Sequence, residues 1–210
     1  MVEMAETRGL AAMAFTDHGP ELEVGMAREK LPAMLQDIRL AREAAGIPVL
    51  AGIEANVADG TGRIDVDGSI IEDIDILLVG IHTLEEAATQ RDFAENYLKR
   101  ATLAVGKNQV DVFAHPFFLH EPLLPHLPLE DVKEFLRLAG DRGVAMEINA
   151  KYKYPGADFI SLCLQEGVKL SVGSDAHSAA DVGRVDWPLA ELRRAGAKRE
   201  DLILDHFLKR

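Results

Sequence analysis

The sequence has a single cysteine, Cys163, so an intramolecular disulfide is excluded. Cys163 lies in the apolar run Ile160-Ser161-Leu162-Cys163-Leu164 and reads as a small buried hydrophobe. No apolar run approaches the ~20 residues of a membrane span, so no membrane partner is expected. The opening residues Met1-Val2-Glu3-Met4-Ala5-Glu6 do not form a signal peptide, which makes the cytoplasm the expected location. Positive charge is short: 23 Lys and Arg stand against 35 Asp and Glu, a net charge of −12. No basic cluster offers a face for phosphate backbones, which disfavours long duplex nucleic acid as a partner. There is no G-x-G-x-x-G turn and no P-loop, and neither an internal repeat nor a low-complexity segment.

What is present is a chain of 210 residues of even composition, 48% apolar, enough for one domain over residues 1–210 with a substantial core. Apolar strand-like runs alternate with helical stretches. The predicted strands are Ala11–Thr16, Val49–Ala55, Asp75–Ile81, Val110–Ala114, Val144–Ile148 and Lys169–Gly173. Most are continuously apolar, as strands covered on both faces should be. Helices are predicted near Glu29–Ala45, Leu84–Gly106, Leu129–Arg142 and Ala157–Glu166, with closing helices at Leu189–Ala195 and Glu200–Leu208. Gly46 and Gly143 read as helix stops. This alternation implies a parallel sheet, either doubly wound and open or rolled into a barrel. A doubly wound sheet would favour a glycine-rich phosphate turn at its switch point, whereas a barrel gathers polar groups at one mouth.

The strand ends favour the barrel. They carry Thr16-Asp17-His18, Gly52-Ile53-Glu54, Gly80-Ile81-His82, Ala114-His115-Pro116, Glu147-Ile148-Asn149 and Gly173-Ser174-Asp175-Ala176-His177. Four of the seven histidines sit at these ends. A single histidine after a strand is ordinarily a solvated or satisfied residue. Six such ends converging on one mouth would leave many polar groups unpaired without a cation. Mixed imidazole and carboxylate donors suit Zn, Mn or Fe better than Ca. His120 and His126, in the Pro/Leu-rich loop 117–128, are expected to border the mouth. His206 reads as structural or solvated.

In these motifs the sequence resembles the PHP (polymerase and histidinol phosphatase) family. The matching pieces, in the family's order, are TDHGP at Thr16–Pro20, GIEAN at Gly52–Asn56, GIH at Gly80–His82, AHP at Ala114–Pro116, EIN at Glu147–Asn149 and GSDAH at Gly173–His177. The GIEAN segment and residues Gly62–Asp67 are most similar to the small stand-alone bacterial phosphatases of the family. The resemblance implies an α/β fold, a distorted TIM-like (β/α)7 barrel with up to three divalent metals, Zn foremost with Mn or Fe as alternatives. It implies metal ligation by His18, Glu54, His82, His115, Asp175 and His177. Glu54 would bridge two metals, with His82 and His115 completing one and Asp175 holding the other, while His18 and His177 share an outer one. Glu54, Asp175 and His177 are the expected catalytic groups, and by the resemblance Asp17 and Asn149 would support the ligands or orient the substrate. Apart from the resemblance, Lys153, in the loop directly after Asn149, is a candidate to hold a substrate phosphate as a point charge, and Arg184 is a weaker candidate of the same kind.

The implied reaction is hydrolysis of a phosphate monoester of a small phosphorylated substrate by metal-activated water. The family opens with a strand ending in His-x-His, which this sequence does not contain, so a barrel lacking its first strand is expected. Two alternatives stand beside this one. One is an amidohydrolase-like metal hydrolase, which usually needs a metal-bridging lysine on a strand that is not found here. The other is a degenerate, non-catalytic metal-binding module.

Overall fold

The computed structural model describes residues 1–208. Strands and helices alternate from the start: α1 (Val2–Thr7), β1 (Met13–His18), α2 (Leu31–Ala44), β2 (Val49–Asn56), the short α3 (Gly68–Ile71), β3 (Ile76–Gly80), α4 (Gln90–Lys107) and β4 (Val112–Phe113). A hairpin of β5 (Phe118–Leu119) and β6 (Glu121–Pro122) follows. Then come α5 (Leu129–Asp141), β7 (Ala145–Asn149), α6 (Ala157–Gln165), β8 (Leu170–Gly173), α7 (Asp186–Ala195) and α8 (Leu204–Leu208). Six strands form one parallel sheet in the order β1-β2-β3-β4-β7-β8, curled into a half-barrel. The TIM-like α/β architecture favoured by the strand ends and implied by the resemblance is therefore the one observed.

The strands are apolar on both faces because each face meets a different core. Outward, Ile53, Val79, Phe113 and Ile148 pack under α4, α5 and α6 with Tyr97, Phe135 and Ile160. Val49 and Ala51 pack outward on Leu35 and Ile38 of α2. Inward, Ile76, Leu78, Val112, Ala114 and Ala145 close on Phe207 of α8, which plugs the barrel at the N-terminal ends of its strands. Burying a side chain of that size stabilises the fold by about 1.5–3 kcal/mol. One step higher, the inward positions turn polar: Glu54 and Asn56 on β2, Glu147 and Asn149 on β7.

The predicted boundaries shift in places, each for a local reason. The first strand runs two residues later than expected, which puts His18 inside it, paired in register with Glu54. The helix expected from Leu84 begins at Gln90, because the Thr89 side chain accepts from the Asp92 amide and caps it there. The last helix is divided into a 3-10 turn at Arg199–Asp201 and α8. Gly143 does stop α5, with φ +72°, a backbone region costly for residues bearing a Cβ.

The sheet does not close. β1 pairs with β2 alone, and among the described residues no ladder joins β1 to β8. The β8 side is covered at one point, where Leu202 bridges to Leu170 and the Ile203 amide donates to the Leu170 carbonyl. Ala14, inward-facing on β1, is exposed for want of a neighbouring strand.

Candidate active site

The inward polar residues meet at the C-terminal ends of the strands, around Glu54. Its Oε1 lies 2.9 Å from His82 Nε2 and 3.1 Å from His115 Nε2. Its Oε2 lies 3.9 Å from His18 Nδ1. The two Nε2 atoms of His82 and His115 are 3.3 Å apart. Adjacent parallel strands in register supply this convergence: His18 on β1 is level with Glu54 on β2, and Asn56 on β2 with Gly80 on β3. Gly80 clears the space between them, since a Cβ there would lie 2.8 Å from Glu54 Oε1 and 3.1 Å from His115 Nε2.

Each imidazole is aimed by a neighbour. Asn56 Oδ1 lies 3.0 Å from His82 Nδ1 and can accept from it, which fixes the ring with Nε2 toward Glu54. His115 sits in a left-handed turn (φ 31°), with Phe117 also left-handed (φ 59°). The turn is pinned at two amides: Glu147 Oε2 accepts from His115 N at 2.7 Å, and the buried Tyr97 hydroxyl accepts from Phe117 N at 3.0 Å.

Electrostatically this half of the site is an acceptor-rich pocket. Burial pushes the Glu54 carboxyl up, but the hydrogen bonds from His115 and His82 outweigh it and hold the group well below the usual carboxylate range. For His115 burial works against the charged form, and the Glu54 hydrogen bond and charge overcome it and raise the pKa. His18 is lowered, chiefly by burial. Glu147 is pushed up to about 6 by burial, with the Glu54 charge acting in the same direction. His18, Glu54 and His82 offer ligand atoms within 4.8 Å of one another. His18 Nδ1 and His115 Nδ1 are buried with no hydrogen-bond partner. A carboxylate and imidazole lone pairs aimed at one point repel unless a proton or cation sits among them. The donor set therefore fits a divalent transition metal.

The other half of the mouth is more open. Asn149 Nδ2 donates to Asp175 Oδ2 at 3.2 Å and to Glu147 Oε2 at 3.1 Å, tying β7 to the turn after β8. His177 Nδ1 lies 3.3 Å from Asp175 Oδ1. The His18 and His177 rings face each other across the unpaired side of the sheet, centroids 6.2 Å apart. Lys151 places Nζ 3.4 Å from Asp175 Oδ1 and 3.3 Å from His177 Nε2. With Asp181 and Arg184 these residues line a cleft of about 260 Å³.

Six of the residues singled out in the sequence thus come together: His18, Glu54, His82, His115, Asn149 and Asp175, with His177 at the rim. Arg184 lies across the cleft, 3.6 Å from Asp181. Lys153 is exposed in a left-handed turn (φ 50°), and Lys151, two residues earlier, is the lysine that reaches Asp175. Asp17 alternates to the outer face of β1, where it borders a groove with Phe15 and Met26, away from Glu54. His120 lies in the tip of the β5–β6 hairpin and His126 in a 3-10 turn. His206 stacks edge-on against Phe207 at the plugged end of the barrel. Sequence reasoning assigned no separate role to Asn56, Glu147 or Lys151. Strand alternation from Glu54 and from Asn149 would have pointed Asn56 and Glu147 inward, while nothing in the spacing marked Lys151.

No family model matches the chain. A probable phosphatase of Edwardsiella ictaluri is 34% identical over 211 residues, covering 96% of this chain and 80% of that protein. A probable phosphatase of Thermoanaerobacter sp. is 31% identical over 209 residues with the same coverage. The chain belongs to the family of these phosphatases. Two solved structures share its fold at low identity. One is a Listeria monocytogenes protein assigned as a histidinol phosphatase (TM-score 0.73, 16% identical, 88% of this chain and 90% of that one). The other is the histidinol phosphate phosphatase of Lactococcus lactis, solved with zinc, L-histidinol and phosphate (TM-score 0.65, 14% identical, 94% and 86%). The phosphatase assignment rests on the sequence relatives, and these two structures support the half-barrel fold. No helix among the described residues is long and apolar enough to cross a membrane.

Proposed function

We propose that this phosphatase is a metal-dependent phosphomonoesterase of the PHP type, acting on a small phosphorylated substrate. The observation that carries the reading is Glu54, a buried carboxylate ringed by imidazoles at the ends of β1, β3 and β4 whose ring nitrogens face it. Glu54, His82 and His115 would hold one cation with His18 close by, and Asp175 and His177 offer donors for another. Zinc suits the donors best, with Mn or Fe as alternatives. When bound, such a cation supplies a water acidified toward neutrality and neutralises charge on phosphoryl oxygens.

The chain's own residues do the rest. Lys151 offers a point charge to a phosphoryl oxygen at the rim, and Asn149 holds Asp175 in place for the reacting group. His177, exposed beside Asp175, would serve as the proton donor to the leaving oxygen when it is not taken up as a metal ligand. Arg184 meets the remainder of the substrate across the cleft, and Lys153 is a further cation on the same loop. The open edge between β1 and β8, flanked by His18 and Asp175, is the place where the family's His-x-His strand would pair.

The test is zinc and manganese stoichiometry on the purified chain, with a panel of phosphate monoesters run against amides. At least one bound equivalent and turnover of a phosphate ester are expected. Metal content below about a tenth of an equivalent after reloading would overturn the reading. Turnover of amides alone would favour the amidohydrolase-like alternative. Metal uptake without turnover of any ester would favour the non-catalytic one.

A further inference from the structure

Glu147 is a buried carboxylate, 6% exposed, that the proposed chemistry does not use. It stands on the inward face of β7, one layer below the metal-ligand candidates. Its Oε2 accepts from the His115 amide at 2.7 Å and from Asn149 Nδ2 at 3.1 Å. Asn149 in turn donates to Asp175 Oδ2 at 3.2 Å. One oxygen thus reaches both halves of the site, His115 directly and Asp175 through an amide bridge. The other oxygen lies against β8, where Gly173 makes room for it: a Cβ at residue 173 would overlap Glu147 Oε1.

A carboxylate is costly to place here. It is buried beside Glu54, whose charge opposes its ionisation. A glutamine, an alanine or an apolar residue would avoid that cost. The turn it holds is itself strained, with His115 at φ 31°. Non-glycine residues in this region persist only when their surroundings over-determine them. The charge-assisted bond from Glu147 to the His115 amide is one such constraint, and the Tyr97 hydroxyl on Phe117 N is the other.

We infer that Glu147 is a positioning residue that sets the affinity and geometry of the metal site by fixing the His115 backbone and, through Asn149, the Asp175 carboxylate. Gly173 is its partner, the residue whose missing side chain lets the carboxylate reach both targets. The inference rests on the metal-dependent reading of the site.

Zinc affinity, measured by competition against a chromophoric chelator, tests it without reference to turnover. Glu147→Ala should weaken zinc binding by about 10–100-fold, the range for residues that orient a ligand. Glu147→Gln, whose carbonyl still accepts from His115, should recover most of that loss. Gly173→Ala should reproduce the weakening while the glutamate is still present, which guards against a misfolded Glu147→Ala. Because part of the effect runs through His115, adding Glu147→Ala to His115→Ala should cost less affinity than Glu147→Ala costs alone.

A merely structural Glu147 would lower the melting temperature of the metal-free chain and leave zinc affinity within about twofold, or its loss would add fully to that of His115→Ala. Either result would overturn the inference while leaving metal binding by the wild-type chain intact. Failure of the wild-type chain to bind zinc would overturn both this inference and the functional reading.

Discussion

The two halves of the barrel mouth are built differently. On the Glu54 side the carboxylate is 11% exposed, and the His82 and His115 side chains are 18% and 7% exposed. On the Asp175 side, Lys151 is 40% and His177 59% exposed. The first half is held by sheet register, Asn56, Glu147 and Tyr97. The second hangs on turns after β7 and β8 at the unpaired edge of the sheet. Preorganised donors suit a resident cation, because little ordering remains to be done when it binds. Exposed, longer side chains suit a substrate that must enter, be gripped and leave.

That contrast can be broken by substitution, and the largest effect should come from the buried half. Glu54→Gln removes the charge shared by three imidazoles. Phosphatase activity is expected to fall by about 10²–10³-fold or more in steady-state assays, the scale of losing a principal charge-stabilising group. His206→Ala, at the plugged end, serves as the control, and equal behaviour of the two variants would remove Glu54 from the active site.

In the open half, Lys151→Met should lower kcat/KM by about 10–100-fold, mostly through KM, as for one lost charge-assisted bond of about 1.5–3 kcal/mol. Zinc affinity should be nearly unaffected. A large loss of zinc with an unchanged KM would assign Lys151 to the metal site and erase the division between the halves.

The smallest effect is read in stability. The Glu147 carboxyl is pushed up to about 6 from an ordinary 4.5. The folded state keeps this proton where the unfolded chain has lost it. Its contribution is therefore fully present below about pH 4.5 and lost as pH rises through about 6. The loss is about 2 kcal/mol, at 1.36 kcal/mol per pKa unit. Urea unfolding of the metal-free chain across this window, compared with Glu147→Gln, isolates it. An identical pH slope in the two proteins would show that the carboxyl ionises normally.

The sequence alone determined the alternation of strand and helix, because apolar runs bounded by polar strand ends are local patterns. It also marked His18, Glu54, His82, His115 and Asp175 as ligand-type residues at strand ends, by residue type and position. Only the tertiary structure decided which of them meet. Register put Glu54 level with His18 on the neighbouring strand, and the missing Cβ of Gly80 let His82 and His115 close on it. The hairpin in loop 117–128, the outward turn of Asp17 and the reach of Lys151 rather than Lys153 depend on backbone conformations that short-range patterns do not encode. Glu147 shows the reason most plainly. Its sequence neighbours mark it as one more inward strand residue, but its role depends on the His115 amide and on Gly173, residues brought beside it only when β4, β7 and β8 pair.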